Sequence, residues 1–232
     1  MQHSVVTTEG HRGSRGGDEA PRMRLLHSGL RLFAAQGFAK TSTRELAEAA
    51  GVNIASISYY FGDKAGLYRA AFLEPAKDLH ADLAQLGDPG VTLPQALGHL
   101  YAGFLSPLRL GDDARLCMKL HFREMLEPTG LWEEEINHTI KPMHEALLGL
   151  LCRQFGLSKP DDELQRLAIC LCGLGVHLHV GHDVINSLAP QLNAGPDVLD
   201  LWSDRLVMYA LAMIDAEKTR RLSKTVKKGR ST

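Results

Sequence analysis

Two sets of residues carry groups able to do chemistry. The first is Cys170, Cys172, His177, His179 and His182, a metal-ligand vocabulary that would suit a metal-dependent hydrolase. Residues two apart point to different sides of a helix, so Cys170/Cys172 and His177/His179 do not all converge. His179 and His182 share a face, but a zinc site needs three or four ligands, so neither a metal nor another cofactor is expected. The second set lies between positions 42 and 64. It holds the hydroxyls of Ser42, Thr43, Ser56, Ser58, Tyr59 and Tyr60, the Asn53 amide and the Lys64 ammonium. These groups suit hydrogen bonding to phosphates and base edges. No nucleophile elbow, phosphate loop or HExxH motif is present. The run Glu133-Glu134-Glu135 follows Trp132 near a helix start, where it complements the macrodipole, and no convergent partner marks it as catalytic.

The elements that must position these residues are helices. Of the 232 residues 44% are hydrophobic and 23% charged, which excludes wholesale disorder, and aromatics at 6% with little alternating pattern argue against strands. No apolar run is long enough to span a membrane. Four cysteines without framework spacing suit a reducing cytoplasm. Residues 1–17, polar and containing Gly10, Gly13, Gly16 and Gly17, are expected to be a disordered arm and not a secretory signal.

From Arg22 the apolar residues Leu25, Leu26, Leu30, Phe33 and Ala34 fall at helical spacing, with Gly37 as a stop. Ser42 and Glu45 form a capping box for a helix over Thr43–Ala50, closed by Gly51. Asn53 caps Ile54–Tyr60, and Asp63 caps a long helix over 64–86. Further helices are expected from Thr92 to just before Pro107, over Asp112–Leu126, over Leu131–Phe155 with a kink at Pro142, over Asp161–Leu188, and over Asp197–Ala216.

Charge is segregated along this order. Residues 22–77 carry eight Lys/Arg against four Asp/Glu, residues 78–217 nine against twenty, and residues 218–232 seven against none. A basic segment in an otherwise acidic protein points to a polyanionic partner for that segment alone. The last stretch, 218–232, is expected to be a solvated, disordered basic tail.

Two short helices joined by Ala50-Gly51-Val52-Asn53 have a helix-turn-helix signature. The blocks Leu32-Phe33-Ala34-Ala35-Gln36-Gly37-Phe38, Thr41-Ser42-Thr43-Arg44-Glu45-Leu46-Ala47, Gly51-Val52-Asn53 and Tyr59-Tyr60-Phe61-Gly62-Asp63-Lys64 share order and spacing with one family. Over about residues 20–70 the chain resembles the TetR family of transcription regulators. The resemblance implies an all-α protein: an N-terminal three-helix DNA-binding domain (18–64), then a helical effector-binding and dimerisation domain (65–217), with helix 64–86 connecting the two. Ser58 departs from the family, which often has tyrosine there, so base preference does not carry over.

In such a module the start of the second short helix faces base edges in the major groove. Asn53, Ile54, Ala55, Ser56 and Ser58 lie there, the serines as hydrogen-bonding groups and Ile54 and Ala55 as thymine-methyl contacts. Ser42 or Thr43, the hydroxyls of Tyr59 and Tyr60, and Lys64 are expected at phosphates, with one of the two tyrosines turned inward.

The resemblance further implies a homodimer on a near-palindromic double-stranded operator, released by a small-molecule effector in the manner of a repressor, in the cytoplasm and off the membrane. Gly173 and Gly175 are expected at the dimer interface, where glycine permits close helix approach. His121 and Met125, one helical turn apart, are expected in a mainly apolar effector pocket. Pro75, inside the connecting helix, is expected to localise its bend. The rivals are the metal-dependent hydrolase and a helical interaction module that no longer binds DNA.

Overall fold

The structure, a computed structural model, describes residues 15–74, 86, 88, 90–109 and 111–229. The chain divides into two compact units between Leu73 and Glu74. Among the described residues every regular element is helical.

The first unit is a bundle of α1 (Arg15–Lys40), α2 (Thr43–Ala50), α3 (Ala55–Phe61) and α4 (Lys64–Leu73). α1 begins at Arg15, ahead of Arg22 and within the stretch read as a disordered arm. Once Leu25, Leu26, Leu30, Phe33 and Ala34 bury one face, each added residue brings its own hydrogen bond, and the helix propagates backward. Gly37 breaks it at φ 82°, ψ 170°. The capping box on α2 is complete: Glu45 N–H donates to Ser42 Oγ at 3.1 Å, and Ser42 N–H to the Glu45 carboxylate at 2.8 Å. Ser42→Ala should therefore cost about 1 kcal/mol in urea unfolding, and an unchanged midpoint would show the cap to be redundant.

Gly51 closes α2 at φ 63°, ψ 41°, a left-handed conformation that lets the chain turn into α3 within a few residues. Arg24 Nε donates to Ala50 O at 2.9 Å, tying that end of α2 to α1. α3 starts one residue later than expected, with the Asn53 side chain accepting from Ala55 N–H at 2.9 Å. Asp63 caps α4 by accepting from Gly66 N–H at 2.8 Å. Leu67, Tyr68, Ala71 and Phe72 face inward, with the Tyr68 ring edge-on to Phe33 and Phe38. The rest of the connecting helix, with Pro75, lies outside the described residues.

The second unit starts with α5 (Leu93–Arg109), which passes through Pro107 instead of ending before it. Proline leaves the carbonyl four residues back without its N–H, and here Ser106 Oγ donates to that Gly103 oxygen at 3.1 Å. α6 (Asp112–Leu126) matches its expected span. The long helix over 131–155 is realised as α7 (Leu131–Glu135), a π-helical turn (Ile136–Ile140) and α8 (Lys141–Phe155). Pro142 removes one donor, and the backbone responds in the preceding turn: Lys141 N–H reaches Ile136 O, five residues back. α9 (Asp162–Val180) and α10 (His182–Leu188), expected as one helix, meet at Gly181 with a bend of 70°.

α11 (Val198–Gly229) overruns its expected end at Ala216 and enters the stretch read as a disordered basic tail. Pairing explains the extension. Arg221 forks onto Asp161 at 2.8 Å for both bonds and also reaches Glu217, while Arg220 pairs with Glu217 and Glu163. The Arg221 guanidinium and the Leu164 N–H hold the Asp161 carboxyl far below the usual carboxylate range. The core of this unit is built by Leu97, Leu100 and Tyr101 of α5, Leu147 and Leu151 of α8, Leu171 of α9, and Leu206 and Ile214 of α11.

Candidate DNA-reading surface and internal cavity

α3 is anchored by one buried residue, Ile57, which leaves its outer side free. That side presents Asn53, Ile54, Ala55, Ser58 and Tyr59 to solvent, while Ser56 is half-buried. Ile54 is 51% exposed and Tyr59 73% exposed, high values for large apolar groups on a small unit. The pair of tyrosines is thereby resolved: Tyr59 points out and Tyr60 is half-buried, their rings edge-to-face at 4.8 Å. At the start of α2, Ser42 is exposed with its Oγ occupied by the cap, and Thr43 is half-exposed.

Lys64 departs from its expected place at a phosphate. Its ammonium donates to Phe38 O at 2.8 Å and Thr41 O at 2.9 Å and lies 4.1 Å from the centre of the Phe38 ring. Two of three donors and the ring face thus hold the α1–α2 turn against the start of α4. Lys64 is a clamp inside the unit.

The second unit contains a half-open cavity of about 270 Å³ between α5, α6, α7, the π turn, α8 and α9. His121 and Met125 share its wall. His121 is buried and its Nδ1–H donates to Cys117 O at 2.8 Å, which fixes the ring. Sequence reasoning missed most of the rest: the aromatic rings of Phe104, Phe122 and Trp132, and the carboxylate of Glu135. Glu135 had been grouped with its neighbours as a helix-start charge. A signal did exist, since Glu135 lies four residues after Leu131 and shares its inward face.

The cysteine and histidine set does not converge. Cys170 and His177 are exposed, and Cys172 lines the cavity with its thiol pushed up to about 11 by burial. His179 Nε2–H donates to Phe104 O at 2.6 Å. Among the described residues no three His, Cys, Asp or Glu side chains come together as metal ligands.

Burial, and secondarily the nearby His182, holds His179 below the usual histidine range against the opposing hydrogen bond to Phe104 O. The unfolded chain takes up this proton near about pH 6.5 and the folded chain only at lower pH. The stability from His179 is therefore complete above about pH 6.5 and fades below it, at no more than about 1.4 kcal/mol per pH unit. Melting curves from pH 7 to 5 should show His179→Gln losing less stability than wild type, and parallel losses would refute this.

The two glycines expected at a dimer interface separate. Gly173 is exposed, with open space where a Cβ would stand. Gly175 is buried, and a Cβ there would lie 2.5 Å from Phe104 Cγ, so its smallness serves packing within one chain. On the same helix as Gly173, α9 exposes Ile169 and Val180, and α11 exposes Leu201, Met208 and Tyr209.

Residues 25–71 match the family model of the bacterial regulatory proteins of the tetR family. Residues 93–216, more than half of the chain, match that of the C-terminal domain of the HTH-type transcriptional dual regulator CecR. The chain belongs to the TetR family of transcriptional regulators. This TetR-family protein is 27% identical over 178 residues to the dual regulator CecR of Shigella flexneri, covering 72% of this chain and 79% of the relative. It is 50% identical over 44 residues to the Bacillus subtilis regulator YttP, covering 19% of this chain and 21% of that one. Its fold is shared with a TetR-like regulator from Rhodococcus sp. RHA1, with TM-score 0.57, 21% identity, and coverage of 87% of this chain and 99% of the other. A second Rhodococcus RHA1 protein of the tetR family gives TM-score 0.62 at 18% identity, with coverage of 84% and 96%. This TetR-family protein is thus an all-α, DNA-binding transcription regulator, and neither the family matches nor the described side chains support the hydrolase reading.

Proposed function

We propose that this TetR-family regulator binds a near-palindromic operator as a homodimer and is released from it by a small molecule held in the cavity of the second unit. The observation that carries the DNA half is the outer side of α3, where Asn53, Ile54, Ala55, Ser58 and Tyr59 stand exposed over a single buried anchor. Ile54 and Ala55 suit thymine methyl groups, and Asn53 and Ser58 suit base-edge hydrogen bonds, with Ser56 at the margin. The hydroxyls of Tyr59 and Tyr60, with Ser42 and Thr43 at the start of α2, suit phosphates. In a twofold dimer the two α3 helices read half-sites roughly 34–36 Å apart.

The second copy is assigned to the exposed sides of α9 and α11, which carry Gly173 and the exposed apolar residues Ile169, Val180, Leu201, Met208 and Tyr209. The effector is assigned to the cavity with His121 and Met125 in its wall, mainly apolar with few polar anchors. The regulator works as a repressor in the bacterial cytoplasm, where the operator is. Because the Shigella flexneri relative is named a dual regulator, a reporter assay should read both directions.

The deciding experiment is selection of bound genomic fragments, followed by binding to the selected site over a range of salt. Wild type should enrich near-palindromic sites, and Ser58→Ala or Ile54→Ala should change the preferred bases at about 1–3 kcal/mol per contact. Failure to enrich any fragment would mean a module that no longer binds DNA.

A further inference from the structure

Glu135 is the acidic group among the residues that line the cavity. Glu135 is 8% exposed and lines the cavity, and its carboxylate oxygens are not among the fully buried atoms that lack a partner. The neighbouring buried acid, Glu124, shows what a structural carboxylate looks like in this protein. It is fully buried and accepts from Thr129 N–H at 2.7 Å, Thr129 Oγ1 at 3.0 Å and Leu131 N–H at 3.2 Å. A carboxylate without such partners depends on water or on a cation for its compensation. The cavity that Glu135 lines is walled by the rings of Phe104, Phe122 and Trp132 and the thioethers of Met118, Met125 and Met143, with His121, Thr139 and Cys172 as its other polar groups. Aromatic faces attract cations and polarisable sulfur tolerates them, while neither provides a strong hydrogen-bond donor to a carboxylate. The Cys117 thiol is pushed up to about 12 by burial and then by the charge of Glu135.

We propose that the cavity takes a lipophilic cation, an arylalkyl amine or quaternary ammonium compound, with Glu135 as its counter-ion and the three aromatic rings packed around the charge. The proposal rests on the cavity being the effector site. An anion would meet the carboxylate at close range in an apolar surrounding, and a neutral apolar molecule would leave it buried alone. A small organic cation satisfies both the carboxylate and the rings.

The test uses the whole 232-residue chain and three probes of one shape. They are benzyltrimethylammonium, its neutral carbon isostere neopentylbenzene, and the anion phenylmethanesulfonate. Binding is read by calorimetry and by quenching of Trp132 fluorescence. Wild type should bind the ammonium at least about tenfold more tightly than the isostere and more tightly still than the sulfonate. In Glu135→Gln, which keeps the side-chain shape, the ammonium-to-isostere ratio should collapse to about one while the isostere binds as before. Equal binding of cation and isostere by wild type, preference for the sulfonate, no binding of any probe, or an unchanged ratio in Glu135→Gln would overturn the proposal. The wild-type comparison needs no variant, so it stands even where Glu135→Gln folds poorly. Operator affinity with and without each probe separates the two readings. Charge-selective binding that leaves operator affinity unchanged sinks the effector role and keeps the cation site. Operator release by the isostere or sulfonate alone keeps the effector role and sinks the cation site.

Discussion

Lys64→Met is expected to destabilise the first unit by about 3 kcal/mol while leaving the salt dependence of residual DNA binding unchanged. The size follows from what the ammonium does: two charge-assisted bonds to the carbonyls of Phe38 and Thr41, and a position over the Phe38 ring. Bonds of this type are worth about 1.5–3 kcal/mol each and the ring contact about 0.5–1, with methionine retaining only the stem packing. Both carbonyls flank the α1–α2 turn, where Thr41 Oγ1 also donates to Gly37 O at 2.7 Å, so loss of the clamp loosens the approach to the helix-turn-helix. The measurement is urea unfolding of both proteins, paired with operator affinity against salt. A phosphate contact would behave oppositely: its loss would lower the salt slope by about one and leave the unfolding midpoint in place. That opposite result would return Lys64 to the DNA surface.

Gly175→Leu is the second large effect, and it should differ in kind from Gly173→Leu. At Gly175 a side chain enters the space of Phe104, whose Cγ and Cδ2 would lie 2.5 and 2.6 Å from the new Cβ. Phe104 can yield only by disturbing α5 or by turning into the cavity it lines. Overpacking of this size should cost about 3 kcal/mol and abolish binding of small molecules in the cavity. At Gly173 nothing lies within reach of a Cβ. Gly173→Leu should fold with wild-type stability or better, since leucine favours helix over glycine by up to about 1 kcal/mol, while weakening self-association. Thermal melts and sedimentation velocity of the two variants separate these outcomes. A stable Gly175→Leu that sediments as a monomer would place Gly175 at the interface after all.

Local signals were legible because each acts over a few residues. The Ser42–Glu45 box, the left-handed Gly51 and the Asp63 cap each read true within a single turn. Together with the spaced blocks over residues 32–64 they were sufficient for an all-α chain with a helix-turn-helix unit. The ends of helices were less legible wherever a remote partner decided them. Proline at position 107 stops a helix by propensity alone, yet Ser106 supplies the missing donor and α5 continues. The basic run after position 217 looks like a solvated tail until Asp161 and Glu163 are brought beside it.

The sequence by itself determined the fold class, the helix-turn-helix and the family, because those depend on periodicity and on caps whose partners lie three or four residues away. Tertiary structure alone decided which tyrosine faces out, where Lys64 spends its donors, which glycine is internal, and that Glu135 looks into a cavity. The physical reason is separation along the chain. Lys64 meets Phe38 from 26 residues away, Arg221 meets Asp161 from 60, and His179 meets Phe104 from 75. Contacts of that kind leave no periodic trace in a sequence, since chain packing, and not spacing, brings their partners within reach.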